Sequence, residues 1–406
     1  MVANRDDKKN LPRTVWMLGL VSLFMDVSSE MIHALLPVFL VSVLGAGAGA
    51  VGLIEGFAEA TASITKVFSG VWSDRLGRRK PLAVLGYGLA ALTKPLFPLA
   101  TSPLWVFAAR FTDRIGKGIR GAPRDAMIAD ATPPDRRGAA FGLRQSLDSA
   151  GAFLGPLAAI AMLGLWSDDI RRVFWAAVIP AFAAVAILVW GVQEPRDRTA
   201  IDSHTPLRWR DVRRLGSRFW VVAAVGVVFS LARFSEAFLV LRAGDAGVSV
   251  TWIPLTFVVM NVVYFAVAYP VGWLSDRLGR VGLLAAGLVV LILSDVVLAL
   301  GESVTTVTIG IAIWGLHMGM TQGLLSTLVA DSAPEALRGS AFGAFYFTSG
   351  LASLAASVVA GVLWQWVGPS LTFFTGAGFS LAALVGLAWW RLRCAPRRVG
   401  QPSSDA

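Results

Sequence analysis

Long apolar stretches alternate with short charged ones along the whole chain. Stretches that reach the ~20 residues needed to cross a 30 Å hydrocarbon core fall near 14–44, 50–72, 81–100, 104–129, 138–164 and 173–191. A polar stretch from Gln193 to Arg218, rich in Arg, Asp and Pro, interrupts the series, and further apolar stretches follow near 219–241, 249–271, 282–300, 304–330, 340–363 and 370–390. In hydrocarbon every backbone N–H and C=O must be paired within its own segment, so each stretch is expected to be a helix. The pattern therefore predicts an all-α membrane protein with twelve transmembrane helices in two six-helix pseudo-symmetric bundles: 1–195, a cytoplasmic linker over 196–218, and 219–406, which ends in a cytoplasmic tail.

Composition agrees with the pattern. Hydrophobic residues make up 55% of the 406 and charged residues 15%, with a mean hydropathy of +0.65. A bilayer, not water, is the expected solvent. In a soluble chain a net charge of +10 would point to nucleic acid; here the basic residues flank apolar segments, so no nucleic-acid partner is expected. Cys394 is the single cysteine, which excludes an internal disulfide or a thiolate metal cluster. The first apolar stretch runs past 25 residues with no small-residue cleavage pattern, as in a retained helix rather than a signal peptide. The predicted outer loops hold only Arg171, Arg172 and Arg242, and the predicted inner segments collect most of the 36 basic residues. That asymmetry places both termini in the cytoplasm, in a bacterial inner membrane.

A charge at membrane depth costs roughly 2.5–3.5 kcal/mol on insertion scales, and the first half carries many. On predicted helix 1, Asp26, Glu30 and His33 share a face at i, i+4, i+7. On helix 2 Glu55, Glu59 and Lys66 do the same, and on helix 5 so do Arg144 and Asp148. Helix 4 holds Arg110, Asp113, Arg114, Lys117, Arg120, Arg124 and Asp125 within an arc of roughly 140°. The second half answers with only Arg233, Glu236 and Asp295. These stripes predict a polar space inside the first bundle, with Glu55, Glu59, Arg110, Arg120, Arg124 and Glu236 as solute contacts.

The halves are copies. Gly70-Val71-Trp72-Ser73-Asp74-Arg75-Leu76-Gly77-Arg78-Arg79-Lys80 recurs 202 positions later as Gly272-Trp273-Leu274-Ser275-Asp276-Arg277-Leu278-Gly279-Arg280. Asp130 to Gly142 matches Asp331 to Gly343 at an offset of 201, yet Arg120, Arg124 and Asp125 fall opposite Thr321, Leu325 and Ser326. Charges missing from the copy are not demanded by the scaffold, which marks them as candidates for function.

The repeated turn G-x-x-x-D-R-x-G-R resembles the loop between helices 2 and 3 of the major facilitator superfamily of secondary transporters, echoed between helices 8 and 9. By that resemblance Asp74 caps helix 11 near Gly339-Ser340 and Arg78 pairs with Asp130, while Asp276 meets helix 5 near Gly138-Ala139 and Arg280 pairs with Asp331; these six charged residues are gates. Gly142, Gly151, Gly155 and Pro156 resemble the antiporter signature of the drug–proton branch, although Ala159 and Ile160 stand where its last two glycines belong. Arg114-x-x-Lys117-Gly118-x-Arg120 resembles that branch's helix 4 motif, whose Arg is associated with proton transfer. Lys117 and Arg120 depart from it and add positive charge.

The resemblance implies a proton-coupled secondary transporter working by alternating access, an exporter of amphipathic small molecules, monomeric, with a solute and protons as partners in the bilayer, and with no cofactor and no bound metal. Asp26 or Glu30 is expected to carry the proton with Arg114 driving its release, and Asp148 stands next in line. Three alternatives stay open. They are a carrier of an organic anion or phosphorylated solute held by the helix 4 arginines, a divalent metal exporter using Asp26, Glu30 and His33, and a facilitator-like receptor that moves nothing. No nucleotide-binding loop, H-E-x-x-H or serine elbow occurs, so an enzyme is not expected.

Overall fold

In the computed structural model, residues 11–76, 78–133, 136–193, 215–278, 280–333 and 337–394 are described. The linker predicted over 196–218 lies largely outside them. The helices of the first half are α1 (Arg13–His33), α2 (Ala48–Leu76), α3 (Lys80–Thr93), α4 (Pro103–Ala131), α5 (Arg137–Leu165) and α6 (Ile170–Ala186). Those of the second half are α7a (Ser217–Ala232), α7b (Ala237–Asp245), α8 (Leu255–Leu278), α9 (Arg280–Leu300), α10 (Val304–Ser332), α11 (Arg338–Trp366) and α12 (Pro369–Cys394).

Local chemistry sets these ends. Ser102 and Ser303, at equivalent positions, each cap the helix that follows by accepting a backbone N–H, from Trp105 and Thr306 respectively. Helix α1 stops before Pro37 and the chain continues through one short turn (Leu36–Val38) and a wider one (Phe39–Val43); Pro95 likewise ends α3. The apolar stretch near 219–241, expected to be one helix, is broken between Ala232 and Ala237. Arg233 leaves the helical region there, with φ −110° and ψ 82°, which brings Arg233 and Glu236 to the break.

Nine helical spans among the described residues are long and apolar enough to cross a membrane. Helices α2, α3 and α4 are not among them. Helix α3 has only 14 residues, and α2 and α4 carry the charges that later line or brace the site. Large apolar side chains turned outward, among them Trp190 at 83% and Trp366 at 79% exposure, suit a lipid surface, with Trp favoured at its interfaces.

Each half repeats one packing scheme. Helix α1 lies against α5 and α6 as α7a lies against α11 and α12, and α4 packs on α2 and α3 as α10 packs on α8 and α9. The halves meet through α2 on α11 and through α8 on α5. Glycines permit the first contact: a Cβ on Gly52 would stand 2.2 Å from the Ser357 carbonyl oxygen and one on Gly361 would stand 2.8 Å from that of Ala48. One end of this seam is tied by the Gly49 N–H, which donates to Gln365 Oε1 at 3.1 Å, and by the Thr251 hydroxyl, which donates to Asp168.

Candidate functional site

Between the halves lies a cavity of about 520 Å³, within the range of small-molecule sites. From the first half it is lined by Glu30, His33, Glu55, Glu59, Arg114 and Lys117, and from the second by Arg233 and Glu236 with Phe234, Phe257, Phe345 and Tyr346. The serines of α11, Ser349, Ser353 and Ser357, line it at a four-residue spacing, so one face of that helix presents a row of hydroxyls. Most of the charge lies on the first-half side, and the other side sets aromatic rings and hydroxyls around Arg233 and Glu236.

The charges brace one another. Arg110 Nη2 donates to Glu55 Oε2 at 3.0 Å, with both residues 1% exposed. His33 lies between two acids, Nδ1 at 3.6 Å from Glu30 and Nε2 at 3.6 Å from Glu55, and its ring meets Phe257 of the other half at 5.0 Å. Arg114 reaches Glu59 at 3.8 Å. Behind this layer Lys94 Nζ donates to Asp113 at 2.9 Å and to Ser29 at 3.1 Å, fully enclosed. Farther along α4, Arg120 lies 3.8 Å from Asp26 and 4.7 Å above the Tyr87 ring. Arg124 donates to Asp125 at 3.0 Å and to Ser22 at 2.9 Å, while Arg144 binds both Asp148 and, at 3.2 Å, Asp125.

The stripes on α1, α2, α4 and α5 do converge, but as two groups. Glu30, Glu55, Glu59, Arg114 and Glu236 face the cavity. Asp26, Arg120, Arg124, Asp148 and Arg144 form a second cluster that does not line it, and Arg110 stands behind Glu55. Some expected partners change. Glu59 takes Arg114, whereas Lys66 lies 4.9 Å over the Tyr346 ring. Asp26, with no Lys or Arg on its own stripe, has Arg120 from α4. Arg242, assigned to an outer loop, is buried in α7b and donates to the carbonyls of Leu298, at 2.9 Å, and Gly301; a long guanidinium on a helix end can satisfy carbonyls left bare at the end of another.

The α5 signature explains how α1 is seated. A Cβ on Gly151 would stand 2.9 Å from the Asp26 Cβ, and one on Gly155 would stand 2.7 Å from the Glu30 Cβ and 2.9 Å from the Val27 carbonyl oxygen. Gly142 meets nothing within 4 Å, so it has no such duty, and Pro156 is buried within α5. Of the gate residues, Asp130 is held by Arg79 at 2.8 Å; this is the neighbour of the expected Arg78, which is exposed. The side chains of Asp74, Asp276, Arg280 and Asp331 lie outside the described residues, as do their expected contacts. No three His, Cys, Asp or Glu side chains among the described residues converge as a metal site requires.

Sequence reasoning missed the break at Arg233–Glu236 and the buried couple Lys94 and Asp113. The break has no Pro or Gly to announce it, but the couple was signalled by Lys94 and Asp113 standing in apolar stretches.

Two pseudo-symmetric helical halves, apolar outside and charged around a central cavity, define a polytopic membrane carrier. Comparison with known proteins agrees. The family model of the Major Facilitator Superfamily matches residues 18–356 and 237–406. The chain is 31% identical over 393 residues to the MFS-type transporter MJ1317 of Methanocaldococcus jannaschii, covering 95% of this chain and 96% of that one. It is 25% identical over 372 residues to the multidrug resistance protein MdtH of Yersinia enterocolitica, covering 88% and 89%. In fold it is similar to the crystal structure of the nucleoside transporter NupG, with a TM-score of 0.79 at 13% identity over 93% of this chain and 99% of that one. The chain belongs to the Major Facilitator Superfamily: it is a multi-pass membrane transporter of small-molecule solutes and not an enzyme.

Proposed function

We propose that this transporter is a proton-coupled exporter of amphipathic small molecules, working by alternating access of one cavity between twelve membrane helices. The observation that carries the reading is the two-sided cavity. Its first-half wall offers acids and cations, and its second-half wall offers Phe234, Phe257, Phe345 and Tyr346. A solute with an apolar body and a polar head is matched by that division. The similarity to MdtH supports the same class. Asp26 or Glu30, both seated on α5 by Gly151 and Gly155, carries the proton, and Arg114 and Asp148 with its arginines tune when it leaves. Moving α1 against α5 or α4 changes the distance from each acid to its cation and so its hold on a proton. The chain works as a monomer in an inner membrane with both termini inside.

An anionic solute is the second reading. Lys117 is exposed to the cavity and Arg114 beside it is shared with Glu59 alone among the ion pairs described. Arg110, Arg120 and Arg124 contribute less to that reading, because none of them is in the lining and each is already engaged by a carboxylate. The metal reading and the non-transporting receptor gain no support from the cavity.

Purified protein in liposomes with an acidic lumen decides between carrier and receptor. Ethidium, a cationic amphipathic dye, and a sulfonated aromatic dye, an anionic one, are added in turn outside. Exchange of lumenal protons for ethidium is the expected result. Exchange only for the anionic dye would move the assignment to the second reading, and binding of either without proton movement would overturn coupling.

A further inference from the structure

The internal repeat exposes a site in the second half that the cavity does not account for. At the offset of 201, Lys94 corresponds to Asp295 and Asp113 to Trp314. In the first half these two positions form a closed ion pair at 2.9 Å, completed by Ser29. In the second half the cation is replaced by an acid and the acid by an indole. Asp295 is 0% exposed, and neither of its carboxyl oxygens has a hydrogen-bond partner. Trp314 Nε1, also buried, has none either.

The surroundings are built around this carboxyl group. Helix α12 passes it at Gly376, where a Cβ would stand 2.9 Å from Asp295 Oδ2 and 2.9 Å from the Phe234 ring. One turn on, Ser380 presents an unpartnered buried hydroxyl. Phe234 is packed against Trp314 and Phe373 at 5.6 and 5.5 Å between ring centres. Phe234 also lines the central cavity and sits in the break between α7a and α7b. One aromatic ring thus lines the cavity and packs beside the acid's helix neighbours, on the segment where α7 is interrupted between Ala232 and Ala237.

No cation among the described residues answers the acid. From α10 the titratable group is His317, whose Nδ1 is 2.7 Å from the Gly287 carbonyl oxygen, two turns from Asp295 on α9. From α7b it is Arg242, spent on the carbonyls of Leu298 and Gly301. At the break Arg233 and Glu236 lie 3.9 Å from each other, and α8 brings Tyr264. Among the described residues none of these pairs with Asp295. A carboxylate ion in such a place would be buried, unpaired and without a donor, which is the costliest arrangement a side chain can take.

We propose that Asp295 is a second proton-binding site, closed by Phe234 in this conformation and opened to the cavity when the break in α7 rearranges. The bound species is H⁺ on one carboxyl oxygen. On opening, the O–H bond breaks heterolytically, the proton passes to cavity water, and the carboxylate left behind is hydrated. This rests on the proton-coupled reading and adds a proton to the cycle beyond the one carried by Asp26 or Glu30.

Infrared difference spectroscopy of the full chain in lipid, with the proton itself as the probe, tests this without a known solute. The wild type should show a protonated-carboxyl stretch at neutral pH that shifts in deuterium oxide on slow exchange. The band should be absent in Asp295→Asn and present in Asp26→Asn and Glu30→Gln. In Phe234→Ala, which keeps the acid, deuterium exchange should accelerate at least tenfold and the band should titrate away as pH is raised. Spectra of wild type and Asp295→Asn that coincide would overturn the site. If Asp295→Asn fails to fold, the Phe234→Ala spectrum decides: an unchanged band and exchange rate would overturn the gate. Loss of the band in Asp26→Asn or Glu30→Gln would assign it to the first half, leaving the coupled reading intact and this inference refuted.

Discussion

Arg110 on α4 and Glu55 on α2 meet at 3.0 Å with each residue only 1% exposed, so one acid of the cavity wall is fixed by a cation that stands behind the lining. The pair holds α2 against α4, and through His33 it also orients the end of α1. A buried ion pair adds little net stability over an apolar pair, but removing one partner strands the other. Arg110→Leu should therefore destabilise the protein by about 3–5 kcal/mol, and Arg110→Leu with Glu55→Leu should recover most of the loss. Thermal unfolding in detergent of the two single variants and the double variant measures this. A double variant no better than Arg110→Leu would show that the pair is not the unit.

The glycines of α5 separate into those that seat α1 and one that does not. Gly155→Leu would drive a side chain into backbone and the Glu30 Cβ and should cost about 1–3 kcal/mol or more. Gly142→Ala meets nothing within 4 Å and, as an Ala for Gly change inside a helix, should stabilise by up to about 1 kcal/mol. Paired melting curves check both signs.

Proton coupling separates from solute exchange. Asp26→Asn or Glu30→Gln should abolish ethidium movement driven by a pH gradient while sparing ethidium–ethidium exchange across liposomes. If both single variants still concentrate dye against its gradient, the α1 assignment is wrong and Asp148→Asn is the next variant.

Gating is read from flux against binding. Asp74→Asn removes a charge from the repeated turn, the gate by resemblance, so it should lower flux severalfold and leave ethidium affinity within a factor of about two. Loss of affinity with unchanged flux capacity would give that turn another role.

Topology follows from the distribution of Lys and Arg. A Cys at Ser167, in the turn between α5 and α6, should react with an impermeant maleimide from outside only, and one at Ser203 from inside only, in a Cys394→Ser background. Reversed labelling would invert the gates.

Much of this protein was written in one dimension. Apolar stretches near 104–129 and 138–164 became α4 (Pro103–Ala131) and α5 (Arg137–Leu165), because a segment in hydrocarbon has few ways to pair its backbone other than a helix. The duplication announced that the second half would repeat the scaffold of the first, and the main helix pairings do recur. Local spacing also gave Arg144 with Asp148, since i and i+4 side chains meet on any helix.

What the sequence could not decide was which charged stripe faces which. Facing depends on how each helix is rotated about its axis, and that is set by close approaches such as Gly151 and Gly155 on α1 and Gly52 on α11. Only the folded chain divides α4 into Arg114 and Lys117, which reach the cavity, and Arg110, Arg120 and Arg124, which stand behind it and brace acids from there. Only the folded chain breaks α7 at Arg233, where no Pro or Gly is present to mark it, and leaves Asp295 without a hydrogen-bond partner among the described residues. Helix formation is decided by hydrogen bonds within a segment, whereas partner choice is decided by packing between segments, and one sequence pattern is compatible with many rotations until the small residues are brought into contact.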